Sequence, residues 1–579
     1  MPQGRGPQGH GPQGPLSHRQ LMPTISGLIL ALFVSMLSST VVTNALPQII
    51  ADLHGSSVAY TWVMVGTMLA MTATMPIWGK LADLLNKKVL VQVALLIYVG
   101  GSALAGLSVS SAMLIGCRVL QGLALGGLVT LVQTVIAVLV PPRERGRYNG
   151  YMGSAFAVAT VSGPLIGGLI VDTPWLGWRW CFYLPIPLAA AAFILLQRTL
   201  HLPVTSRKAS IDYVGATLIA GGVSAVLIWL SLAGDSFPWR SAQSAGLLGG
   251  GLAMLLIALF VETRVPEPVV PLRLFRNPTV VLAVIASMSV GSVMFNANLV
   301  FGQYFQLGQG RTPTVSGLLT VPLVAGLAVS STVVGQLISR TGTWKRYLII
   351  GTALIGCGCL LLTTIGPHTP PVLVSLFASF IGLGLGMTQQ NLVLAAQNSA
   401  PVSELGVTSA TVSFFRSLGG STGVAALGAF MAHRVSEMTV TGLAERGLPP
   451  DTLGDGRSIP DLATLPEPVA EVVHTAYGSA PADVFGLTVP LAVIALLAVA
   501  FIPARPLRAT AHAGPDDSRP DGARQAGRIG DRPGQQEKEA EDDVGGELGD
   551  ASGNEGGTGG GIGSGSQCPR EQGQHVPAP

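Results

Sequence analysis

Long apolar runs recur along the chain and are separated by short polar segments. The apolar core of a bilayer, about 30 Å thick, needs about 20 apolar residues in a helix. Runs of that length predict fourteen membrane-spanning helices, at 24–46, 59–79, 89–108, 111–139, 149–171, 180–199, 212–233, 243–262, 279–304, 316–338, 346–365, 371–395, 408–431 and 482–502. The pattern therefore predicts an all-α membrane protein with 14 transmembrane helices.

Composition supports this prediction and disfavours other classes of protein. Of the 579 residues, 49% are hydrophobic and 11% are charged, whereas soluble domains carry about 25% charged residues. A net charge of +3 gives no indication of a nucleic-acid partner. The predicted spans contain no histidine and no group of metal ligands, so a membrane enzyme is disfavoured, and we expect no metal and no cofactor.

The two ends of the chain differ from the rest in composition. Residues 1–20 repeat Pro-Gln-Gly and are predicted to be a disordered N-terminal arm. Residues 503–579 are predicted to be a disordered cytoplasmic tail, because most of this segment is rich in Gly, Pro, Gln and acids. It holds 13 of the 30 acidic residues of the chain.

The distribution of basic residues predicts the orientation. Lys and Arg concentrate in the cytoplasmic loops of membrane proteins. The even-numbered loops between spans carry fifteen of them and the short odd-numbered loops carry three, Arg179, Arg240 and Arg311. The even loops and both termini are therefore predicted to be cytoplasmic, and the long polar loop 432–481 external.

Two loops repeat one pattern and divide the chain into related parts. Residues 79–88 follow span 2 and residues 335–346 follow span 10; both begin Gly-x-Leu and end in basic residues. Aligning them makes span 9 the equivalent of span 1. The predicted organisation is an N-terminal six-helix bundle at 21–200, an extra helix pair at 201–265 and a C-terminal six-helix bundle at 266–502. Two related halves indicate a transporter with its site between them.

Five motifs carry a specific resemblance. Residues 79–88 resemble the signature between spans 2 and 3 of the major facilitator superfamily. Residues 118–127 resemble its span 4 motif, and residues 159–168 resemble its span 5 antiporter motif. Residues 40–47 and 178–182 are similar to the ends of spans 1 and 6 in the 14-span drug:proton antiporter branch. The resemblance covers about residues 24–502 and implies the major-facilitator fold, two six-helix bundles plus two extra central helices.

The resemblance also implies a function. It is that of a bacterial plasma-membrane exporter of small, moderately hydrophobic organic compounds, such as drugs and antibiotics, by proton antiport. Its partners would be the organic substrate, protons and the lipid bilayer, with no nucleic acid, and the protein would be a monomer. An exporter dedicated to one endogenous metabolite, such as a self-made antibiotic, is an open alternative. A non-transporting membrane sensor of the same fold is a further one.

Charged residues within or beside the spans are the candidates for coupling and switching. Arg118 lies inside span 4, where a cation is costly unless it is paired or hydrated, and Gln121 lies one turn further on. The resemblance gives Arg118 a role in proton transfer or switching; a structural arginine is the alternative. Asp83 would latch the two halves together, or would be a solvated loop carboxylate. Asp172, at the outer end of span 5, is a candidate proton carrier.

Small residues at span ends and along span 5 indicate gating and close helix packing. In the first repeat, Leu84 and Asn86 replace the Arg and Gly of the family pattern; in the second, Ser339 replaces its Asp. Each copy is therefore half of a latch. The candidates for gating and packing are Gly79, Gly163, Pro164, Gly167, Gly168, Gly335 and Arg340.

No acid lies at the centre of a span. The antiporter branch usually has an Asp in span 1, and this chain has Ser38 there. A proton carrier needs a group that titrates. The acids that remain near an interface are Asp83, Asp172, Asp212 and Glu262.

Scattered polar and aromatic side chains are candidates for a mostly apolar substrate cavity. Asn and Gln also bond membrane helices to one another, which is the alternative for each. The candidates are Ser38, Asn44, Gln133, Asn296, Asn298, Gln303, Gln389, Gln390 and Asn391, with Tyr60, Trp62, Phe414 and Phe415 for aromatic contact. Arg416, a second deeply placed cation, is either part of this cavity or structural.

Overall fold

The computed structural model describes residues 18–54, 57–173, 175–200, 212–232, 237–265, 268–447 and 466–507. These ranges are dominated by fifteen α-helices. They are α1 (His18–Asp52), α2 (Ser57–Leu84), α3 (Lys87–Gly106), α4 (Ser111–Leu139), α5 (Pro142–Asp172), α6 (Trp180–Tyr183), α7 (Pro185–Thr199), α8 (Tyr213–Leu232), α9 (Ala242–Glu262), α10 (Pro278–Gln303), α11 (Pro313–Thr341), α12 (Lys345–Leu362), α13 (Pro371–Ser399), α14 (Leu405–Glu445) and α15 (Glu467–Phe501).

The predicted all-α fold is confirmed. In the described ranges, thirteen helical segments are long and apolar enough to cross a membrane, with α6 and α7 together forming one of them. Helix α14 covers the remaining predicted span at 408–431. Its N-terminal part is polar, with a run of Thr and Ser followed by Arg416, and these side chains are buried among other helices.

Buried apolar side chains form separate cores that group the helices. Two cores lie among α1–α7, here called the amino-terminal bundle. One large core joins α10–α15, the carboxy-terminal bundle. A fourth core packs α8 and α9, the extra pair, against Leu69 and Ala73 of α2, with Phe414 and Leu418 of α14 at its edge. The extra pair therefore lies beside the place where α2 meets α14.

The two bundles meet along two helix pairs. Helix α5 packs against α11, and α2 packs against α14. Glycines allow these close approaches, since a side chain on Gly146 or Gly150 would collide with the backbone of α11. Helices α4 and α13 add to this interface, with α4 against α14 and α13 against α5.

The loop predicted at 432–481 is more helical than the sequence indicates. Helix α14 continues to Glu445 and α15 begins at Glu467. Arg434 bonds Asp483 of α15 at 2.7 Å, and Arg446 bonds Glu471 at 2.9 Å. These contacts between two polar helices stabilise segments that no apolar run marks. Residues 448–465 lie outside the described residues.

The ends also differ slightly from the prediction. Residues 18–20, placed in the N-terminal arm, belong to α1. Of the predicted tail, residues 503–507 lie against the carboxy-terminal bundle: Trp344 donates to the carbonyl of Arg505 at 2.8 Å, and Leu507 is buried. The remainder of the tail lies outside the described residues.

Candidate functional site

Asp83 joins the two bundles at the predicted cytoplasmic side. Its carboxylate accepts hydrogen bonds from the backbone N–H groups of Gly406 at 2.8 Å and Val407 at 2.9 Å. These are in the first turn of α14, where backbone N–H groups lack partners within the helix and the helix dipole favours an anion. Gly79 lies one turn before Asp83 on α2 and packs closely against Gly406 and Ala410. We call this contact the first latch.

The second repeat makes the corresponding contact with a hydroxyl. Ser339, at the end of α11, accepts a hydrogen bond from the backbone N–H of Arg147 at 2.8 Å and donates to the carbonyl of Glu144 at 3.2 Å. Both partners lie in the first two turns of α5. Gly335 packs against the backbone of Gly146 beside it. This second latch joins the corresponding helices of the other repeat, with a neutral hydroxyl that accepts one hydrogen bond and donates one in place of a carboxylate that accepts two.

Arg340 is not part of this contact. Its side chain is exposed at the end of α11, and the neighbouring Ser339 makes the bond to α5. The sequence pattern predicted a gating role for Arg340 because the second repeat keeps this basic residue of the family pattern. The structure places the contact one residue earlier, on a side chain that the pattern marked only as a missing acid.

A layer of amides closes the space between the bundles above the latches. Gln133 of α4 accepts a hydrogen bond from the hydroxyl of Ser413 at 3.0 Å and donates to Gln390 at 3.5 Å. Nearer the predicted cytoplasmic surface, Arg145 donates to Gln397 at 3.3 Å. Of the predicted cavity residues, Gln133 and Gln390 are therefore brought together across the interface.

Helix α5 changes its partner along its length. Its N-terminal half packs against the other bundle, where Ser154 contacts Ala328 and Thr332 of α11. Its C-terminal half packs against α1, where Gly163 contacts Thr40 and Gly167 contacts Val41. The small-residue stripe of the predicted antiporter motif thus holds the amino-terminal bundle together.

Other residues of that motif contribute less. Gly168 has open space where a side chain would begin, so it does not take part in this packing. The side chains of Pro164 and Asp172 lie outside the described residues, and the role predicted for each stays a prediction. The hydrogen bonds described between the bundles all involve the N-terminal halves of α5 and α14 or the C-terminal halves of α2, α4, α11 and α13.

Arg118 is buried inside the amino-terminal bundle, with 3% of its surface exposed. Its guanidinium donates to Gln121 at 2.9 Å and to the carbonyl of Val63 on α2 at 3.4 Å. Gln121 in turn donates to the hydroxyl of Ser102 on α3 at 2.9 Å. Sequence reasoning placed Arg118 and Gln121 on one face, and the structure shows that they bond directly. The hydrogen-bond partners described for Arg118 are all neutral.

Ser38 shares the surroundings of Arg118 through Tyr98. The phenol of Tyr98 on α3 lies beside Ser38, Ser102 and Arg118. In the described part of the chain, the hydroxyls of Ser38 and Tyr98 are buried without a hydrogen-bond partner of good geometry. Spacing along the chain places Ser38 and Arg118 at the same predicted depth in the membrane. It does not indicate that Tyr98 lies beside both of them.

The polar residues of α10 fall into separate environments. Asn296 is fully buried and donates to Thr488 of α15 at 3.5 Å, and its carbonyl oxygen has no described partner. Asn298 is exposed and bonds its own helix at Met294. The amide oxygen of Gln303 is buried and likewise without a described partner. These residues do not join Gln133 and Gln390 in one cluster, and Asn44 and Tyr60 have side chains outside the described residues.

Arg416 and Phe415 lie away from the layer of amides. Arg416 is buried within the carboxy-terminal bundle and donates to the carbonyl of Gln389 at 3.3 Å. Phe415, predicted for the substrate cavity, instead lines an apolar side cavity of about 340 Å³ together with Phe414 and with residues of α2, α8 and α9. Sequence analysis missed this cavity, since no periodicity indicates which faces the extra pair leaves uncovered.

Comparison with known proteins places the chain among membrane transporters. A family model described as the Major Facilitator Superfamily matches residues 28–424. An uncharacterised MFS-type transporter of Mycobacterium tuberculosis is 34% identical over 472 residues, which cover 82% of this chain and 68% of that one. The multidrug transporter protein MdtP of Bacillus subtilis is 35% identical over 422 residues, which cover 73% and 77%. The solved proton:xylose symporter XylE has a similar fold, with a TM-score of 0.57, 13% identity and coverage of 85% and 98%.

Proposed function

The chain belongs to the major facilitator superfamily, and we propose that it is a secondary active exporter of small, moderately hydrophobic organic compounds driven by proton antiport. The relative named a multidrug transporter supports the substrate class, since it matches most of this chain. The plasma membrane of a bacterium is the proposed location, with both termini cytoplasmic.

The observation that carries the proposal is the pair of latches between the bundles. Each latch fixes the start of a helix in one bundle to the end of a helix in the other, at Asp83 and at Ser339. Contacts of this kind are made in one state and broken in another, so they bias a rocking motion between two states. A substrate that enters from the predicted cytoplasmic side requires both latches to open.

Coupling to protons is the less direct part of the proposal. Arg118 is buried among neutral partners, and Ser38 stands where an acid would pair with it. A serine hydroxyl does not titrate near neutral pH, and guanidinium stays protonated. We therefore propose that the cavity disfavours cationic substrates and that the proton is carried by an acid elsewhere in the chain.

Export and its driving force are tested together in a pump-deficient bacterial host. Cells expressing the chain should become less susceptible to several unrelated hydrophobic antibiotics and should expel a neutral fluorescent compound. Efflux should collapse when a protonophore is added while cellular ATP is maintained. Continued concentrative efflux under the protonophore would contradict proton coupling, and unchanged susceptibility with unchanged accumulation would contradict export of drugs.

Substitution of Ser38 by aspartate should change substrate preference. An aspartate at this position would place an anion near Arg118, next to Tyr98, and would offset the positive charge of the cavity. We expect efflux of cationic dyes relative to neutral ones to rise by roughly fivefold, a coupling energy of about 1 kcal/mol. Efflux rates of matched cationic and neutral dyes measure the ratio.

The matched control is Ser38→Asn, which adds a side chain of the same size without a charge. It should leave the ratio of cationic to neutral efflux unchanged. An equal ratio in wild type and in Ser38→Asp would mean that Ser38 and Arg118 do not act on the same cavity.

A further inference from the structure

Two buried acids lie together in the extra pair, where the transport proposal does not use them. Asp212 immediately precedes α8, and Glu262 is the last residue of α9. Their exposed fractions are 9% and 6%. A side chain added at Gly215 would collide with the carboxylate of Asp212 and press on that of Glu262, so both carboxylates line one small space.

The two acids differ in how many of their carboxylate oxygens accept hydrogen bonds. Both oxygens of Glu262 accept backbone N–H groups, from Val269 at 3.0 Å and from Val270 at 3.2 Å. In Asp212, Oδ1 accepts from the backbone of Gly215 at 2.8 Å and caps α8. Its Oδ2 is buried and has no hydrogen-bond partner among the described residues. The unsatisfied oxygen therefore lies on the side of the second carboxylate.

Two carboxylates in a poorly hydrated space repel each other when both are ionised, and a proton bound between them removes that repulsion. The charged group that faces Glu262 from α2 is Lys80, which interacts electrostatically with it. Helix α14 presents Phe414 and Phe415 on this side. Arg207 and Lys208 precede Asp212 in the sequence and lie outside the described residues. Lys80 and two backbone N–H groups favour the ionised form of Glu262. Asp212 Oδ2, which has no hydrogen-bond partner, is therefore the oxygen on which a proton would bind.

We propose that Asp212 and Glu262 form a proton-binding site in the extra pair, with one proton held on Oδ2 of Asp212 and shared with Oε1 of Glu262. Lys80 also interacts electrostatically with Asp83 of the first latch, so the charge of this site acts on the contact between the bundles. The proposal of this site is based on these contacts and does not depend on which compound the protein exports.

A hydrophobic carbodiimide tests the site directly. N,N′-dicyclohexylcarbodiimide adds the O–H of a protonated carboxylic acid across its C=N bond, and the apolar side cavity lined by Glu262 gives it a route from the lipid. In the purified full-length protein, mass spectrometry should find the adduct on Asp212, and the amount of adduct should increase as the pH falls. Asp483, an exposed acid bonded to Arg434, is the internal control and should stay unlabelled.

Two variants test whether the acids share the proton. Glu262→Gln removes the neighbouring charge but not the bulk of the side chain, so the pH midpoint for labelling Asp212 should fall by about one unit. Lys80→Met removes the cation and should raise that midpoint. An unchanged midpoint in Glu262→Gln would overturn the proposal.

Infrared spectroscopy provides a measurement that does not depend on access of the reagent. The carbonyl band of a protonated carboxylic acid should appear as the pH is lowered in the wild-type protein and should be lost in Asp212→Asn. The same band in wild type and in Asp212→Asn, combined with no adduct on Asp212, would show that Asp212 holds no proton and would overturn the proposal.

Discussion

Arg118→Ala is expected to reduce efflux to background while the protein still reaches the membrane. The substitution removes the hydrogen bond from α4 to the carbonyl of Val63 on α2 and leaves the amide oxygen of Gln121 without its donor. A buried cation in a membrane protein is costly and is therefore a functional hypothesis in itself. Loss of a switching contact of 1 to 3 kcal/mol corresponds to roughly 5- to 150-fold in efflux.

Two further variants separate function from folding in this prediction. Arg118→Lys keeps the charge but offers a compact ammonium in place of the planar fork, so it should restore efflux only in part. Gln121→Ala removes the amide to which Arg118 donates and should weaken efflux less than Arg118→Ala. Amounts in the membrane and thermal stability are measured alongside efflux. Near-normal efflux by Arg118→Ala would make Arg118 a purely structural residue.

The helices could be predicted because the bilayer fixes the length of an apolar segment. Helix accounts for most of each of the fourteen predicted windows, although several windows extend one to three residues beyond the helix ends. The pattern could not predict the outer ends of α14 and α15, which lie beyond the apolar segments. There the helices depend on contacts between distant residues, such as Arg446 with Glu471.

Sequence could predict the site residues that belong to a motif. It could not predict the contacts between residues that are distant in the chain. Spacing placed Arg118 and Gln121 on one helical face, and their bond follows from that geometry. It could not show that Asp83 binds the backbone of α14, because the partner groups lie more than 300 residues away and carry no side-chain signal. For the same reason, it listed Arg340 among the gating candidates and could not show that Ser339 bonds the backbone of α5.

The two latches predict an unequal response to mutation. Asp83→Asn replaces a carboxylate that accepts two backbone N–H groups at a helix N-terminus, which should cost the closed state on the order of 2 kcal/mol. Ser339→Ala removes a neutral hydroxyl with one accepted and one donated bond, a loss of about 1 kcal/mol. Opening at the predicted cytoplasmic side should increase roughly thirtyfold in the first variant and roughly fivefold in the second.

A cysteine at Ser413 reports this opening, because Ser413 is buried against Gln133 at the interface between the bundles. In a chain whose five native cysteines are replaced, maleimide labelling of this cysteine in inverted vesicles should follow the same order: Asp83→Asn fastest, then Ser339→Ala, then the unsubstituted latches.

Ser339→Asp is the matched gain of function, since it places an anion at the N-terminus of α5. In the Asp83→Asn background it should slow labelling again. Equal labelling rates with and without Asp83→Asn would show that the first latch does not hold the bundles together. Faster labelling in Ser339→Asp would show that the second latch does not use the dipole of α5.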